Sequence, residues 1–344
     1  MARSDHLRAL LAAYSRGDDS AFRDAAASII ADERRKRHNL LADELEQALN
    51  RDERPGIRSM PAMLPIPKSR DDRPLLRLSK PRIEFDDLVL MDSVFRPLLE
   101  LVEENRSRHV LSSFKLRPRQ RLLFIGESGT GKTAAAQALA ASLSLPVASV
   151  SLPALVSSYL GETAKNLESV VRFAETTPCV LLLDEFDAIA GHRHQANDHA
   201  ELNRVVATIL QVLEEMQGES LVVATSNHAD MLDTALWRRF DEVIGFGRLD
   251  VEGVQRLIML KCRAFPSRIS YSQWALELLR FSPAEIELVC LDALRQCVVE
   301  GIARLDDTVF ERSLLRVEQR QQTLRRVVED MQLDDESRSL GEEG

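Results

Sequence analysis

Apolar residues fall along this chain in three successive textures. From Leu7 to Leu49 they recur at helical spacing, as Leu7, Leu10, Leu11 and Tyr14, then Phe22, Ile29 and Ile30, then Leu41, Leu45 and Leu49. Gly17 interrupts the first run and Ser20 can cap the second, so residues 1–50 are predicted to be a small helical module of two or three helices. A module of that size holds little core by itself. Residues 51–81 carry Pro55, Pro61, Pro65, Pro67, Pro74 and Pro81 among many charges and are expected to form an extended linker. From about Ile83, short apolar runs alternate with helical patterns, the texture of an α/β domain with a parallel sheet. Strands are expected at Arg121 to Ile125, Val147 to Ser151, Cys179 to Leu183, Leu221 to Thr225 and Glu242 to Phe246. After Asp250 the strands stop, and Val254 to Cys262, Pro283 to Val299 and Thr308 to Val328 are predicted to be helices. The α/β region is thus placed at 82–249 and a helical lobe at 250–328. Residues 329–344 are acidic and poor in apolar side chains, and are expected to be disordered.

Composition narrows the class. At 344 residues with 44% hydrophobic content, the chain has enough apolar surface for one large or two medium cores. A formal net charge of -9 argues against a protein whose main task is to coat nucleic acid, since phosphate binding needs a basic surface. Cys179, Cys262, Cys290 and Cys297 form no CxxC pair or metal spacing and read as buried, reduced thiols. The start, Met1 to Asp5, lacks a long apolar signal region, and no stretch approaches the length of a membrane span, so the expected location is the cytoplasm.

The chemistry concentrates at strand ends. Gly126, Glu127, Ser128, Gly129, Thr130, Gly131, Lys132 and Thr133 fit the phosphate-loop pattern, between a strand and a helix as that pattern requires. Glycines let backbone N–H groups curl around phosphate oxygens, and the helix N-terminus adds its positive dipole end. Lys132 is expected to reach the β- and γ-phosphates of ATP, and the Thr133 hydroxyl to ligate Mg²⁺. Asp184 and Glu185 close an apolar strand; Asp184 is assigned to the metal and Glu185 to the attacking water. Asn227 follows a third strand, from which its amide could bond the water or the γ-phosphate.

With these residues together the chain resembles the AAA+ ATPases, in the clade of membrane-bound bacterial AAA proteases, katanin, spastin and the two-ring unfoldases. The resemblance runs from about Ile83 to Val299 and includes Leu232-Asp233-Thr234-Ala235-Leu236-Trp237-Arg238-Arg239-Phe240-Asp241. It implies a phosphate-loop sheet followed by a helical lid, assembled into a homo-oligomeric ring, expected as a hexamer. Arg239, with Arg238 beside it, corresponds to the arginine finger that reaches a neighbour's γ-phosphate. Where many relatives carry a further arginine, this chain has Glu242. Tyr159, Leu160 and Gly161 resemble the pore loop that grips a polypeptide. Glu127 and Ser128 replace two prolines of the usual loop, and Ser282-Pro283-Ala284-Glu285 supplies no second-sensor arginine while forming a helix capping box.

The function implied is a ring that remodels or unfolds a protein client. The sequence has no HExxH zinc helix, and short bacterial members of similar look are often paired with a separate subtilisin-like serine protease. A nucleic-acid loader or initiator and a nucleotide-gated scaffold are the alternatives. Against the first stand the Tyr-Leu-Gly loop and the lack of an appended DNA-binding domain, and against the second the intact Glu185. His192, His194 and His199 read as a polar loop rather than a metal site, and Arg34-Arg35-Lys36-Arg37-His38 as a solvated helix face.

Overall fold

The computed structural model describes residues 19–35, 65–155, 160–187, 209, 211–228 and 237–341. The chain divides into two compact units, Met1–Pro61 and Ala62–Gly344. In the first, helix α1 (Asp19–Arg35) realises the second predicted helical run, with Ala25 and Ile30 buried. The flanking runs Leu7 to Tyr14 and Leu41 to Leu49, and the basic run beyond Arg35, lie outside the described residues.

The second unit is built on a six-stranded sheet of β1 (Leu76–Ser79), β2 (Arg121–Gly126), β3 (Val147–Val150), β4 (Val180–Leu183), β5 (Leu221–Ser226) and β6 (Glu242–Phe246). Its order is β1-β3-β4-β5-β2-β6, parallel throughout except for β1, which runs antiparallel to β3. The central strands are apolar at successive positions because helices cover both faces. Val180, Leu182, Leu221, Val223, Leu122 and Phe124 enter the core under helices α2 (Asp92–Arg106) and α4 (Lys132–Ser142). Leu181, Leu183, Val222, Ala224 and Leu123 enter the opposite core, closed by helix α6 (Leu160–Thr176). Two short helices, α3 (Arg108–Ser113) and α5 (Leu152–Leu155), lie between these elements in the chain.

Strand β1 corrects the expectation of an extended linker through residue 81. Leu76 pairs with Val150 and Ser79 with Val147, and Leu75 and Leu76 are buried. Its four residues, between Pro74 and Pro81 and interrupted by Arg77, give too short an alternation to stand out, and an edge position tolerates the nearby prolines.

The helical lobe comprises α7 (Val251–Cys262), α8 (Tyr271–Glu277), α9 (Pro283–Glu300) and α10 (Asp307–Gly341) around a core that includes Ile258, Trp274, Ile286, Cys290 and Phe310. The capping box of Ser282 and Glu285 forms, with Pro283 in the first turn. All four cysteines are free and buried. The two lobes share a strap: Leu88 and Leu90 pack on the α/β core, while Val89 and Met91 pack on the lid core. The alternation of an extended segment therefore feeds both cores at once. The acidic segment from Glu329, expected to be disordered, continues α10 as far as Gly341. It contains no proline, and its Glu, Gln, Leu and Arg residues favour helix once a packed N-terminal half has nucleated it. Among the described residues no helix is long and apolar enough to cross a membrane.

Candidate nucleotide site

Strand β2 lies between β5 and β6, so the crossovers leaving the sheet diverge at its carboxyl end. That divergence opens a crevice where ligands of parallel sheets bind. Gly126 ends β2 beside Phe246 of β6, and a β-carbon there would lie 2.1 Å from the Phe246 carbonyl oxygen. The loop then turns through Gly129 and Gly131, both at positive φ, and α4 starts at Lys132, presenting its N-terminal N–H groups. Thr130 Oγ1 donates to the Glu127 carbonyl at 2.8 Å and closes the loop from within.

Lys132 is 6% exposed, and its ammonium donates to the carbonyls of Gly126 (2.7 Å) and Glu127 (2.8 Å). Burial pushes its pKa below the ordinary lysine value, and Asp187, Asp184 and Glu185 pull it back. The cation is thus held under the loop by its carbonyls and faced by carboxylates.

Strand β4 delivers those carboxylates. Asp184 Oδ1 accepts hydrogen bonds from Thr133 Oγ1 (2.9 Å) and Thr225 Oγ1 (2.6 Å), so the phosphate-loop helix, β4 and β5 converge on one oxygen. Thr133 and Asp184 offer the hard oxygen donors that magnesium takes, and the fit to that cation is good. Glu185 is exposed and adopts φ 53°, a left-handed conformation uncommon outside glycine. Its N–H donates to Thr225 Oγ1 at 3.0 Å, and the Phe186 N–H to the Thr225 carbonyl at 2.8 Å. Asp187, 6% exposed, accepts the Asn227 N–H at 3.3 Å, joining the end of β4 to the end of β5. Thr225 and Asp187 escaped the sequence reading. The signal for Asp187 was its place in Asp184-Glu185-Phe186-Asp187; for Thr225 it was a hydroxyl in an otherwise apolar strand.

The lid forms the other wall. The Ala284 N–H donates to the Gly129 carbonyl at 3.0 Å, and a β-carbon on Gly129 would meet Ser282 Oγ at 2.9 Å. Arg248, just after β6, binds Glu127 Oε2 through Nε (3.1 Å) and Nη2 (2.9 Å) and the Arg280 carbonyl through Nη1 (2.7 Å). A cleft of about 390 Å³ lies here, lined by Glu127, Ser128, Asn227, His228, Arg248, Ser282 and Glu285. Glu127, in place of a proline, therefore becomes an anchor between loop and lid.

The remaining expected residues are placed as follows. Arg239 pairs with Glu214 of its own chain at 2.7 Å, while Arg238 is exposed with no ion pair among the described residues. Glu242 is engaged by Arg119, which also binds Glu104. Tyr159 lies outside the described residues, as do His192, His194 and His199. Leu160 and Gly161 begin α6.

Residues 122–248 match the family described as "ATPase family associated with various cellular activities (AAA)". A Sinorhizobium fredii (strain NBRC 101917 / NGR234) protein named "Uncharacterized AAA family ATPase y4kL" is 36% identical over 317 residues, 91% of this chain and 95% of its own length. The peroxisomal ATPase PEX6 of Penicillium chrysogenum is 30% identical over 243 residues, 67% of this chain but 17% of its own. For PEX6 of Yarrowia lipolytica (strain CLIB 122 / E 150) the figures are 32% over 238 residues, 66% and 23%, so the chain spans under a quarter of either PEX6. The chain belongs to the AAA family of ATPases. It binds and hydrolyses ATP.

Proposed function

We propose that the chain works as a ring that spends ATP hydrolysis on remodelling or unfolding a protein client drawn through its centre. The convergence of Thr133, Asp184, Glu185 and Asn227 beside the phosphate loop is the observation that carries the catalytic half. The Tyr159-Leu160-Gly161 resemblance carries the mechanical half.

In this mechanism Lys132 and the N–H groups of 126–133 hold the phosphates. Thr133 and Asp184 would hold Mg²⁺, which when bound would neutralise charge on the phosphate oxygens. Glu185 orients a water in line with the γ-phosphorus and takes its proton on a carboxylate oxygen. The new P–O bond forms as the bond to the bridging oxygen breaks, and ADP leaves with that electron pair. Asn227 holds the water or γ-phosphate from the opposite side. Arg239 of a neighbouring subunit, with Arg238 beside it, meets the developing charge, since the lid segment 282–285 contributes no arginine. Tyr159 grips the client through aromatic contacts that tolerate any sequence. The helical module 1–50 recruits the client, and a separate subtilisin-like serine protease receives it in unfolded form.

Three variants test the proposal. Lys132→Ala should lose ATP binding, whereas Glu185→Gln should bind ATP like the parent, fail to turn it over and retain a client in an ATP-dependent complex. Adding Tyr159→Ala to Glu185→Gln should release that client with ATP still bound. Equal loss of ATP affinity in Lys132→Ala and Glu185→Gln would sink the division of roles, and client retention indifferent to Tyr159 would sink the pore reading.

A further inference from the structure

Strand β5 is apolar through Leu221, Val222, Val223 and Ala224, and then places two hydroxyls, Thr225 and Ser226, at 1% and 0% exposure. A buried strand gains nothing from such groups unless their polar atoms are used. The β4–β5 ladder ends with Leu183 opposite Ala224, so Thr225 lies where β4 has already left the sheet as Asp184 and Glu185.

We propose that Thr225 is a positioning residue for ATP hydrolysis, its hydroxyl orienting the metal-binding carboxylate of Asp184 and the backbone that aims Glu185. The hydroxyl has one proton to give and lone pairs to accept with. It gives the proton to Asp184 Oδ1 at 2.6 Å and accepts the Glu185 N–H at 3.0 Å. The main-chain carbonyl of the same residue accepts the next N–H, that of Phe186, at 2.8 Å. Thr225 thus grips both peptide N–H groups flanking the Glu185 α-carbon.

That grip matters because of the backbone it holds. At φ 53° Glu185 occupies a strained region that persists only where its surroundings over-determine it. The direction in which its side chain leaves the backbone is therefore set by the main-chain conformation that Thr225 holds, rather than by contacts of the exposed carboxylate. On the Asp184 side, two hydroxyls share Oδ1, one from α4 and one from β5. Thr133 lies in the first turn of α4, directly after the phosphate loop, whereas Thr225 belongs to β5 inside the sheet, so Thr225 references the carboxylate to the central strands.

This inference rests on the roles of Asp184 and Glu185 proposed above, and the experiment separates the two. Valine matches the shape of threonine without its hydroxyl, and serine keeps the hydroxyl. In the full chain, at a concentration where the parent's rate per subunit is maximal, Thr225→Val should lower kcat about 10- to 100-fold, the usual effect of removing a hydrogen bond to a charged group. It should also raise the Mg²⁺ concentration needed for half-maximal rate, and leave ATP affinity measured in EDTA unchanged. Thr225→Ser should restore kcat to within about threefold. Should the valine variant be insoluble, Thr225→Ala serves in its place with the same expectations. A parental kcat without the hydroxyl overturns the inference, as does a serine variant as slow as valine, or a loss of EDTA affinity in step with kcat. Asp184→Asn and Glu185→Gln run beside them: if these still turn over, the assigned roles fall, whereas if they are dead and Thr225→Val is normal, only the positioning role falls.

Discussion

A β-carbon at Gly126 would lie 2.1 Å from a backbone oxygen of the neighbouring strand, and at φ 150° no ordinary side chain is at ease there. At Gly129 the obstruction is instead Ser282 Oγ at 2.9 Å and the Ala284 β-carbon at 3.1 Å, side-chain atoms of the lid. Two glycines three residues apart thus guard different things. Gly126→Ala must push β6 away from β2 and should cost at least about 1–3 kcal/mol, as overpacking does, a fall of roughly 2–12 °C in melting temperature. Gly129→Ala should fold with a smaller fall but bind ATP more weakly, because it pries the loop from the lid. Thermal melts and ATP titrations on both variants check this; equal melting temperatures would contradict it. The placement of the phosphate loop between β2 and α4, and of Asp184 and Glu185 at the end of β4, was legible in the sequence because each is written within a few consecutive residues and their strand context. The contacts of Thr225 and of the Glu127–Arg248 pair were not, since the partners are 40 and 121 residues apart and meet only once strand order is known.

At the scale of elements, the five parallel strands were readable to within one residue, β4 and β5 most clearly, because a strand covered on both faces reads as a near-continuous apolar run. Strand β1 and the extension of α10 were not readable. One is an edge too short for its alternation to show, and the other a polar helix without an apolar stripe to mark it. What locks the starts of β2 and β6 together is also a polar matter. Asp241 accepts the N–H groups of Gln120 (3.0 Å) and Arg121 (2.9 Å) and the Arg121 guanidinium at 2.6 Å, while its own N–H donates to the Arg121 carbonyl at 2.8 Å. Burial pushes the Asp241 carboxyl up, and Arg121 with the two N–H groups outweighs it, leaving the pKa below the ordinary value. A lowered folded pKa contributes stability that is present above the unfolded value of about 3.9 and lost as pH falls through the folded one. Asp241→Asn should therefore cost about 1–3 kcal/mol in denaturant unfolding at pH 7. The gap from the parent should close below about pH 4. A gap that persists undiminished at pH 3 would mean that the carboxylate charge is not what joins the strands.

At the scale of the whole molecule, the question is whether a single chain contains a complete catalytic site. In the proposed mechanism one chain offers Lys132 to the phosphates and Glu185 and Asn227 to the water, but Arg239 is paired with Glu214 and the lid segment 282–285 supplies no arginine. If the missing cation comes from a neighbour, Arg239→Ala should keep ATP binding and lose turnover about 10³-fold or more, as arginine fingers do. Glu214→Ala, which only frees Arg239, should not slow the reaction. Loss of activity alone would not prove sharing, because any damaged site is slow. Mixing two dead proteins does. A Glu185→Gln subunit still carries Arg239, and an Arg239→Ala subunit still carries Glu185, so wherever the second lies on the correct side of the first a complete site forms. With random mixing in equal amounts, about a quarter of interfaces in a head-to-tail ring should be intact. ATP turnover should then return to a corresponding fraction of the parent rate and disappear on dilution below the assembly concentration. The same mixture made with Arg238→Ala decides which arginine crosses the interface: if Arg239 does so alone, the Arg238 variant stays active unmixed. Two dead variants that remain dead at every ratio and concentration, while forming mixed oligomers, would place the whole site within one chain.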